Sequence, residues 1–180
     1  PVIKASEVVV SATKTPVPVH QVTSAVEVIT GEELERKKIK TVIEGLRLAQ
    51  GVFASSSGGT GTEATVKMRG AFARHTLVLI DGVIVNSPTT GSYDFSNLMT
   101  DNIDRIEILR GAQSMLYGSD AIGGVINIYT KKGTGAPTGS AFLEYGSFAS
   151  LREGASLSGA TGLFDFSASL SRWDTSSFSA

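Results

Sequence analysis

The side-chain composition of this 180-residue chain changes abruptly at residues 131–137, which read Lys-Lys-Gly-Thr-Gly-Ala-Pro. Residues 1–133 contain 14 basic and 13 acidic side chains but only six aromatic ones. Residues 134–180 contain seven aromatic side chains, six charged ones and no lysine. Because glycine and proline mark connections between regular elements, we place a domain boundary here. The two parts are predicted to face different solvents.

Alternating side chains after this boundary predict three antiparallel strands, at residues 139–145, 151–158 and 163–173. The third strand has an apolar face made of Phe164, Phe166, Ala168 and Leu170. An apolar face, a face of small polar side chains and an aromatic residue near the strand end are typical of transmembrane barrel strands. A soluble antiparallel meander has the same alternation, so the pattern by itself leaves both interpretations open.

The region before the boundary is predicted to be a small α+β domain. Residues 1–25 have little periodicity and are interpreted as an extended arm. Two Thr-x-x-Glu capping boxes, starting at Thr30 and Thr41, predict helices over 32–38 and 42–49, the second ended by Gly51. Residues 55–62 are predicted to be a flexible loop. Strands are predicted at 26–29, 65–68, 76–80, 83–85, 103–109 and 125–129.

Several function classes are excluded by composition. The chain has no cysteine, and its two histidines, His20 and His75, are far apart, so we expect no metal site. A net charge of −1 argues against nucleic-acid binding. No apolar run approaches the about 20 residues of a membrane-spanning helix. Neither the glycine-rich stretches nor Ser119-Asp120 completes a catalytic motif, so we predict no enzyme and no cofactor.

Four motifs carry a family resemblance. The longest is 105–128 (RIEILRGAQSMLYGSDAIGGVINI), preceded by 77–83 (LVLIDGV), by 68–70 (MRG) and by 7–13 (EVVVSAT). In order and spacing they resemble the plug domain of TonB-dependent outer-membrane receptors, with 7–13 resembling the TonB box. Residues 117–124 are most similar to cobalamin-type receptors. Residues 49–52 (AQGV) depart from the Leu-Pro-Gly-Val that the family often has.

The resemblance implies an α+β plug domain, a small mixed sheet with short helices, followed by the first strands of an incomplete transmembrane β-barrel of about 22 strands. The implied domains are an arm at 1–25 with the TonB box at about 7–13, a plug at 26–133, and about three barrel strands at 134–180. The implied location is the bacterial outer membrane, with the arm in the periplasm. Since the chain starts at Pro1 and its sheet would stay open, we expect it to be cut from a longer exported protein.

The implied function is TonB-dependent uptake of a scarce, bulky ligand: a cobalamin, a ferric siderophore or haem. The implied partners are this ligand and TonB with the inner-membrane energising complex, which pulls on the plug. An alternative from another class is a ligand-binding or signalling module that has the plug fold without transport.

The resemblance also implies three sets of site residues. The TonB-binding set is Glu7, Val8, Val9, Val10, Ser11, Ala12 and Thr13, unless this segment is an ordinary disordered tail. The apical loops 55–63 and 86–95 supply the ligand-binding set Ser56, Ser57, Thr60, Asn86, Ser87 and Tyr93, unless these loops are merely solvated. Arg69 and Arg110 are expected to pair with glutamates of the barrel wall and hold the plug, unless they are surface arginines.

Overall fold

The computed structural model describes residues 8–9, 17–18, 25–162 and 164–176. Before the boundary at 131–137 the strands are β1 (Val8–Val9), β2 (Val17–Pro18), β3 (Ala25–Thr30), β4 (Val52–Ser56), β5 (Ala64–Met68), β6 (Thr76–Ile80), β7 (Val83–Ile84), β8 (Ile103–Arg110) and β9 (Gly124–Thr130). The helices are α1 (Gly31–Arg36), α2 (Val42–Arg47) and α3 (Ser114–Tyr117), with short 3₁₀ turns at Ala73–His75 and Ser119–Ala121. The strands after the boundary are β10 (Thr138–Gly146), β11 (Ser150–Thr161) and β12 (Phe164–Asp174).

A five-stranded mixed sheet organises the first region, in the order β3-β8-β9-β6-β7. The β6–β9 pair is parallel, and the other neighbours are antiparallel. One face of the sheet packs with α2 and β5 around the main apolar core, which includes the fully buried Leu46, Ile106 and Ile128. The opposite face is covered by a smaller cluster around Leu109 and Val125. The predicted α+β fold is therefore confirmed.

Local capping starts both main helices where the sequence predicts. The Glu33 amide donates to Thr30 Oγ1 at 3.2 Å before α1, and the Thr41 amide donates to Glu44 Oε2 at 3.2 Å before α2. The predicted helix ends are wrong, because α1 stops at Arg36 and α2 at Arg47. Gly51 does not end the second helix. It has φ +68° and turns the chain into β4.

The β4–β5 hairpin was not predicted. Residues 55–62 read as a loop, but Ser55 and Ser56 lie in β4 and pair with Thr65 and Ala64. Serine has a low β-propensity, so the pairing across the hairpin decides the conformation of these two residues. The connecting loop between the strands is therefore shorter than predicted and runs from 57 to 63.

The Asp81-Gly82 turn is confirmed. Asp81 and Gly82 have φ angles of +50° and +84°, as a two-residue hairpin of the primed type requires. The Asp81 carboxylate accepts hydrogen bonds from the Thr130 amide at 3.0 Å and from the Thr130 hydroxyl at 2.7 Å. The carboxylate thus fixes the turn against β9, as expected for a turn residue rather than a general base.

The second region is an antiparallel sheet in the order β10-β11-β12. Its register places Ala141 beside Ala155 and Leu170, and Ser140 beside Ser156 and Ser169. The predicted alternation is confirmed, with Leu143, Phe164 and Leu170 on one face and Phe142 with the serines on the other. The first of these faces points away from the rest of the molecule: Leu143, Phe164 and Leu170 expose 72%, 80% and 79% of their surface. We call it the outer face, and the opposite one the inner face.

The connector reaches the sheet through Gly133. A Cβ atom at this buried position would lie 2.1 Å from the Phe166 carbonyl and 2.2 Å from the Gly159 carbonyl. The Ala160 amide donates to the Gly135 carbonyl at 2.8 Å. Only glycine allows this approach without displacing backbone, so the connector is fixed against β11 and β12.

Within the described residues, none of the helices has the length and apolar character needed to cross a membrane. The predicted extended arm is described only at Val8–Val9 and Val17–Pro18. These two segments pair antiparallel, with Val8 opposite Pro18 and Val9 opposite Val17. The remainder of residues 1–24 lies outside the described part of the chain.

Candidate functional site

The two predicted apical loops adjoin each other in the structure. Asp94 connects them, because its Oδ1 accepts hydrogen bonds from the Ala64 amide at 2.9 Å and from the Ser96 amide at 3.0 Å. The Phe95 amide also donates to the Ala64 carbonyl at 2.8 Å. These hydrogen bonds therefore hold the end of loop 57–63 against the end of loop 86–95.

Loop 57–63 presents small groups above a shallow cleft. Ser57 and Thr60 are exposed, and the cleft is lined by the loop together with Arg47 and Ser96. Ser56 is less available, because its hydroxyl accepts from Arg47 Nη2 at 3.0 Å and donates to the Gly58 carbonyl at 3.2 Å. Within this loop, Ser57 and Thr60 are the predicted residues that are exposed, and the Ser57 hydroxyl donates a long bond to the Glu63 carbonyl at 3.4 Å.

Asn86 has an internal role in the second loop. Its Oδ1 accepts from the Val78 amide at 2.7 Å, and its Nδ2 donates to the carbonyls of Thr76 at 3.0 Å and Gly91 at 2.8 Å. Ser87 Oγ accepts from the Thr89 and Thr90 amides, both at 3.3 Å. Both side chains shape the loop, and the half-buried Asn86 amide is used by these bonds.

Tyr93 lies at the border between loop and core. Its ring meets Phe95 edge-on, with centroids 4.8 Å apart and planes at 88°. Burial, followed by the neighbouring Asp94 charge, raises the pKa of the Tyr93 phenol. The pKa of Asp94 is lowered: burial would raise it, but the hydrogen bonds from Ala64 and Ser96 outweigh that effect. Tyr93 therefore stays neutral and offers an aromatic edge to the loop surface.

Arg69 and Arg110 lie near one another at one end of the sheet. Arg69 is exposed, with φ +49°, and an added Cβ at Gly111 would meet its Nη1 at 2.9 Å. Arg110 Nη1 donates to the Gln50 carbonyl at 2.8 Å and lies 3.7 Å from Glu27 Oε2. Arg110 Nε is buried with no hydrogen-bond partner among the described residues. Arg110 thus keeps unused donor capacity.

The structure adds a cluster that the sequence did not predict. Four charged side chains connect the α+β domain to the sheet: Lys40 with Glu144, and Asp101 with Arg152. Arg152 Nη1 also lies 3.3 Å from Glu144 Oε2. The available signal was that Glu144 and Arg152 interrupt a strand face otherwise made mainly of small residues.

A buried ion pair sits within the sheet of the α+β domain. Glu107 has no exposed surface, and its Oε1 accepts from Arg105 Nε at 2.9 Å. The Arg105 guanidinium lies 3.9 Å from the centre of the Tyr129 ring. Burial would lower the pKa of Arg105, but the Glu107 bond and charge outweigh it, so this pKa is raised. The pair is a structural element of the domain.

Of the predicted TonB-binding set, the structure describes only Val8 and Val9, which form strand β1. The other members of this set lie outside the described residues: Glu7, Val10, Ser11, Ala12 and Thr13. One edge of β1 is occupied by β2. No group of three or more potential metal ligands occurs within the described ranges.

An α+β domain held by charges against one face of an antiparallel sheet, whose other face is apolar, is the arrangement of a plug against a barrel wall. Family comparison agrees with this class. The model of the TonB-dependent receptor plug domain matches residues 18–125, well over half of the chain. The chain belongs to the TonB-dependent receptor plug domain family.

Individual relatives support this assignment. The vitamin B12 transporter BtuB of Photobacterium profundum is 45% identical over 122 residues, which cover 68% of this chain and 20% of that protein. The siderophore receptor PirA of Acinetobacter baumannii superposes with a TM-score of 0.60 at 32% identity, covering 76% of this chain and 22% of that one. This chain spans about a fifth of the length of the curated relatives it matches.

A more distant structure shows the same fold over a longer stretch. The pyoverdine outer membrane receptor FpvA of Pseudomonas aeruginosa, bound to pyoverdine, gives a TM-score of 0.79 at 22% identity. The match covers 93% of this chain and 24% of that one, so it includes both the plug and the sheet. All three relatives are named as transporters or receptors, in agreement with the prediction that the chain is not an enzyme.

Proposed function

We propose that this chain supplies the arm, the plug and the first wall strands of a receptor that imports a bulky ligand across the bacterial outer membrane. The arm is residues 1–25, the plug 26–133 and the wall strands 134–180. The observation that carries the proposal is the plug-family match over 18–125, joined to a sheet whose apolar face points away from the plug. Such an outer face fits lipid, and the arm then lies in the periplasm.

Cobalamin is the ligand that we favour. The supporting observations are the 45% identity to a protein named as a vitamin B12 transporter and the cobalamin-type run at 117–124. Ferric siderophores and haem are the other candidates, since receptors for siderophores share this fold. The ligand is substrate, and no resident cofactor is proposed.

We assign ligand contact on the plug to the exposed positions Ser57 and Thr60 of loop 57–63 and to Ser87 and Tyr93 of loop 86–95. Small hydroxyl side chains let a large ligand approach the backbone closely and offer hydrogen bonds to its polar groups. Ser56 and Asn86 hold the loops in shape through the bonds described above. Ser57→Ala is expected to weaken binding directly, whereas Asn86→Ala is expected to loosen loop 86–95 as well.

We assign TonB contact to Glu7, Val8, Val9, Val10, Ser11, Ala12 and Thr13. The described part of this segment already forms a strand with one edge paired to β2. Its other edge offers main-chain groups for strand addition, a binding mode that depends on backbone hydrogen bonds more than on particular side chains. TonB, driven by the inner-membrane energising complex, then pulls on the arm and opens the plug.

We assign Arg69 and Arg110 to plug retention. Beside its contacts with Gln50 and Glu27, Arg110 carries a buried Nε with no partner among the described residues, so its guanidinium can donate to a further carboxylate. Glutamates on wall strands beyond those present here would provide that carboxylate. Reversing the charge of Arg110 is expected to lower plug stability in the whole receptor.

The test uses the full-length receptor in cells that lack their own cobalamin receptor. Deleting residues 7–13 should abolish uptake of labelled cyanocobalamin and leave its binding to cells intact. Val9→Pro removes one main-chain donor and should reduce uptake strongly, whereas the matched control Val9→Thr keeps a β-branched strand residue and should not.

Each alternative gives a different result in this assay. Uptake that is unchanged by the deletion contradicts the TonB-box assignment. Binding without uptake in the unmodified receptor favours the non-transporting binding or signalling module. Uptake of a ferric siderophore or haem in place of cyanocobalamin keeps the transport mechanism and replaces the ligand.

A further inference from the structure

Arg152 is the most deeply buried charged residue on the inner face of the sheet. Its exposed fraction is 8%, and its guanidinium lies 4.6 Å from the centre of the Phe142 ring. The ring fits there because Gly154 lies opposite Phe142, where an added Cβ would come within 2.6 Å of it. Side chains of the two neighbouring strands β10 and β11 thus accommodate this one cation.

The partners of Arg152 come from both sides of the boundary between plug and wall. Its Nη2 pairs with Asp101 of the plug, and its Nη1 lies 3.3 Å from Glu144 of strand β10. Glu144 in turn pairs with Lys40 of the plug. The result is a chain of alternating charge, Lys40–Glu144–Arg152–Asp101, which we call the wall clasp. Because its four charges cancel, no net charge is enclosed.

The two plug residues of the wall clasp belong to one rigid unit. The Thr100 amide donates to the Lys40 carbonyl at 3.1 Å, and Thr100 Oγ1 donates to the Ile39 carbonyl at 2.7 Å. A bridge between Thr41 and Met99 joins the same two segments. Lys40 and Asp101 are therefore held at a fixed separation, and the plug presents a positive and a negative charge to a matching pair on the wall.

The rest of the inner face cannot replace this contact. Among the described residues of β10, β11 and β12, its side chains are mostly serine, including Ser140, Ser156 and Ser169. The one other charge on that face, Asp165, lies at the opposite end of the strands, beside Ala160. A plug displaced along or around the wall would leave Arg152 buried opposite hydroxyls, which is costly.

We propose that the wall clasp fixes the position of the plug against the first wall strands, with Arg152 as its central positioning residue. The wall clasp is separate from Arg69 and Arg110, for which the plug supplies the arginine. In the central pair of the wall clasp the wall supplies the arginine and the plug supplies the carboxylate. The inference rests on the proposed barrel wall but on neither the ligand nor TonB.

The test measures access to the space between plug and wall in the full-length receptor, in membrane vesicles without ligand or TonB. A single cysteine replaces Ser156, which lines that space with Asp101 and Arg152. Labelling by a maleimide that carries a bulky polyethylene glycol reports on displacement of the plug. Arg152→Met should increase the labelling rate roughly tenfold or more, because it removes the cation that joins Asp101 of the plug to Glu144 of the wall.

Three variants separate the wall clasp from general damage. Arg172→Met removes a matched arginine of the same sheet, paired at 2.7 Å with Asp174 on the outer face, and should leave labelling unchanged. Asp101→Asn is a milder change on the plug side and should also raise labelling. It provides the test if the Arg152→Met receptor does not assemble. Arg152→Lys keeps a cation beside both Asp101 and Glu144 and should label more slowly than Arg152→Met.

Two results would overturn the proposal. One is unchanged labelling in both Arg152→Met and Asp101→Asn. The other is an Arg152→Lys variant that labels as fast as Arg152→Met, which would show that the charge of residue 152 does not hold the plug. A cysteine at Leu143 on the outer face checks the wall itself, since a water-soluble, membrane-impermeant maleimide should fail to label it if that face meets lipid.

Discussion

In the α+β domain most fully buried side chains are apolar, such as Leu34, Leu46 and Ile106, and the buried Glu107 is paired with Arg105. In the three-stranded sheet the order is reversed: Leu143 and Phe164 expose 72% and 80%, whereas Arg152 exposes 8%. The two regions follow the same physical rule in different solvents. Apolar groups leave water in the first region, and in the second they lie on the face that we propose meets lipid.

The comparison shows what strand alternation does and does not determine. Period-two patterning establishes which residues share a face of β10, β11 and β12. It does not establish which face is enclosed by protein. The paired charges decide that point, since Arg152 and Glu144 on the small-residue face find their partners on the plug.

The largest expected effect is in the plug core. Ile106→Ala removes a side chain with no exposed surface and should destabilise the plug by about 2–5 kcal/mol, through lost transfer energy and a cavity. Hydrogen exchange of plug amides in the full-length receptor measures this. Val83→Ala, at a residue that is 66% exposed, is the matched control and should have little effect.

The outer face of the sheet should respond to charge rather than to truncation. Leu170→Arg places a cation on the apolar face and should cost about 2–4 kcal/mol if the site is near the bilayer centre. Ser169→Arg, one residue away on the inner face, should cost much less. The equilibrium for folding of the receptor into lipid vesicles compares the two. Equal costs would break the proposed contrast between the faces.

The connector between the two regions offers an intermediate effect. Gly133→Ala forces a Cβ to within 2.1 Å of the Phe166 carbonyl and should destabilise the contact by about 1–3 kcal/mol, as overpacking does elsewhere. Gly139→Ala in β10, where the nearest atom is 3.6 Å away, is the control. Thermal unfolding of the full-length variants measures the difference, and similar melting temperatures would show that the connector tolerates displacement.

The smallest expected effect is a pH dependence confined to the plug loops. The pKa of Asp94 is lowered in the folded protein, so its stabilisation is complete above the ordinary carboxyl pKa of about 3.9. It is lost as pH falls through the lowered value. Hydrogen exchange at the Ala64 amide, corrected for intrinsic rates, should show this loss. Asp94→Asn should flatten the profile, and an unchanged acid-side loss in that variant would assign it to another group.

The parts of the fold that the sequence predicted are those set by neighbouring residues. The Asp81-Gly82 hairpin follows from two positive φ angles, and the starts of α1 and α2 follow from Thr30 and Thr41 capping within one turn. The strand β4 was missed because Ser55 and Ser56 adopt it through partners across a hairpin. The helix ends were missed because the periodic pattern continues past Arg47, the last residue of α2.

The structure places the predicted site residues in different environments. Ser57 and Thr60 lie exposed at the loop surface, whereas Asn86 turned out to be committed to three internal hydrogen bonds. No local pattern distinguishes these cases, because an asparagine in a polar loop looks the same whether its amide faces solvent or a strand. The roles of the TonB-binding set, of the apical-loop residues and of Arg69 and Arg110 stay predictions.

By itself, the sequence determined the strand faces and the family resemblance and predicted the division at residues 131–137, because each depends on composition or on spacing along the chain. Only the tertiary structure decided which face of the sheet meets the plug and which charges join them. Lys40 and Glu144 are 104 residues apart, and Asp101 and Arg152 are 51 apart. The energy of a buried charge depends on what lies within a few ångströms in space, and that proximity exists only after the plug has packed against the wall.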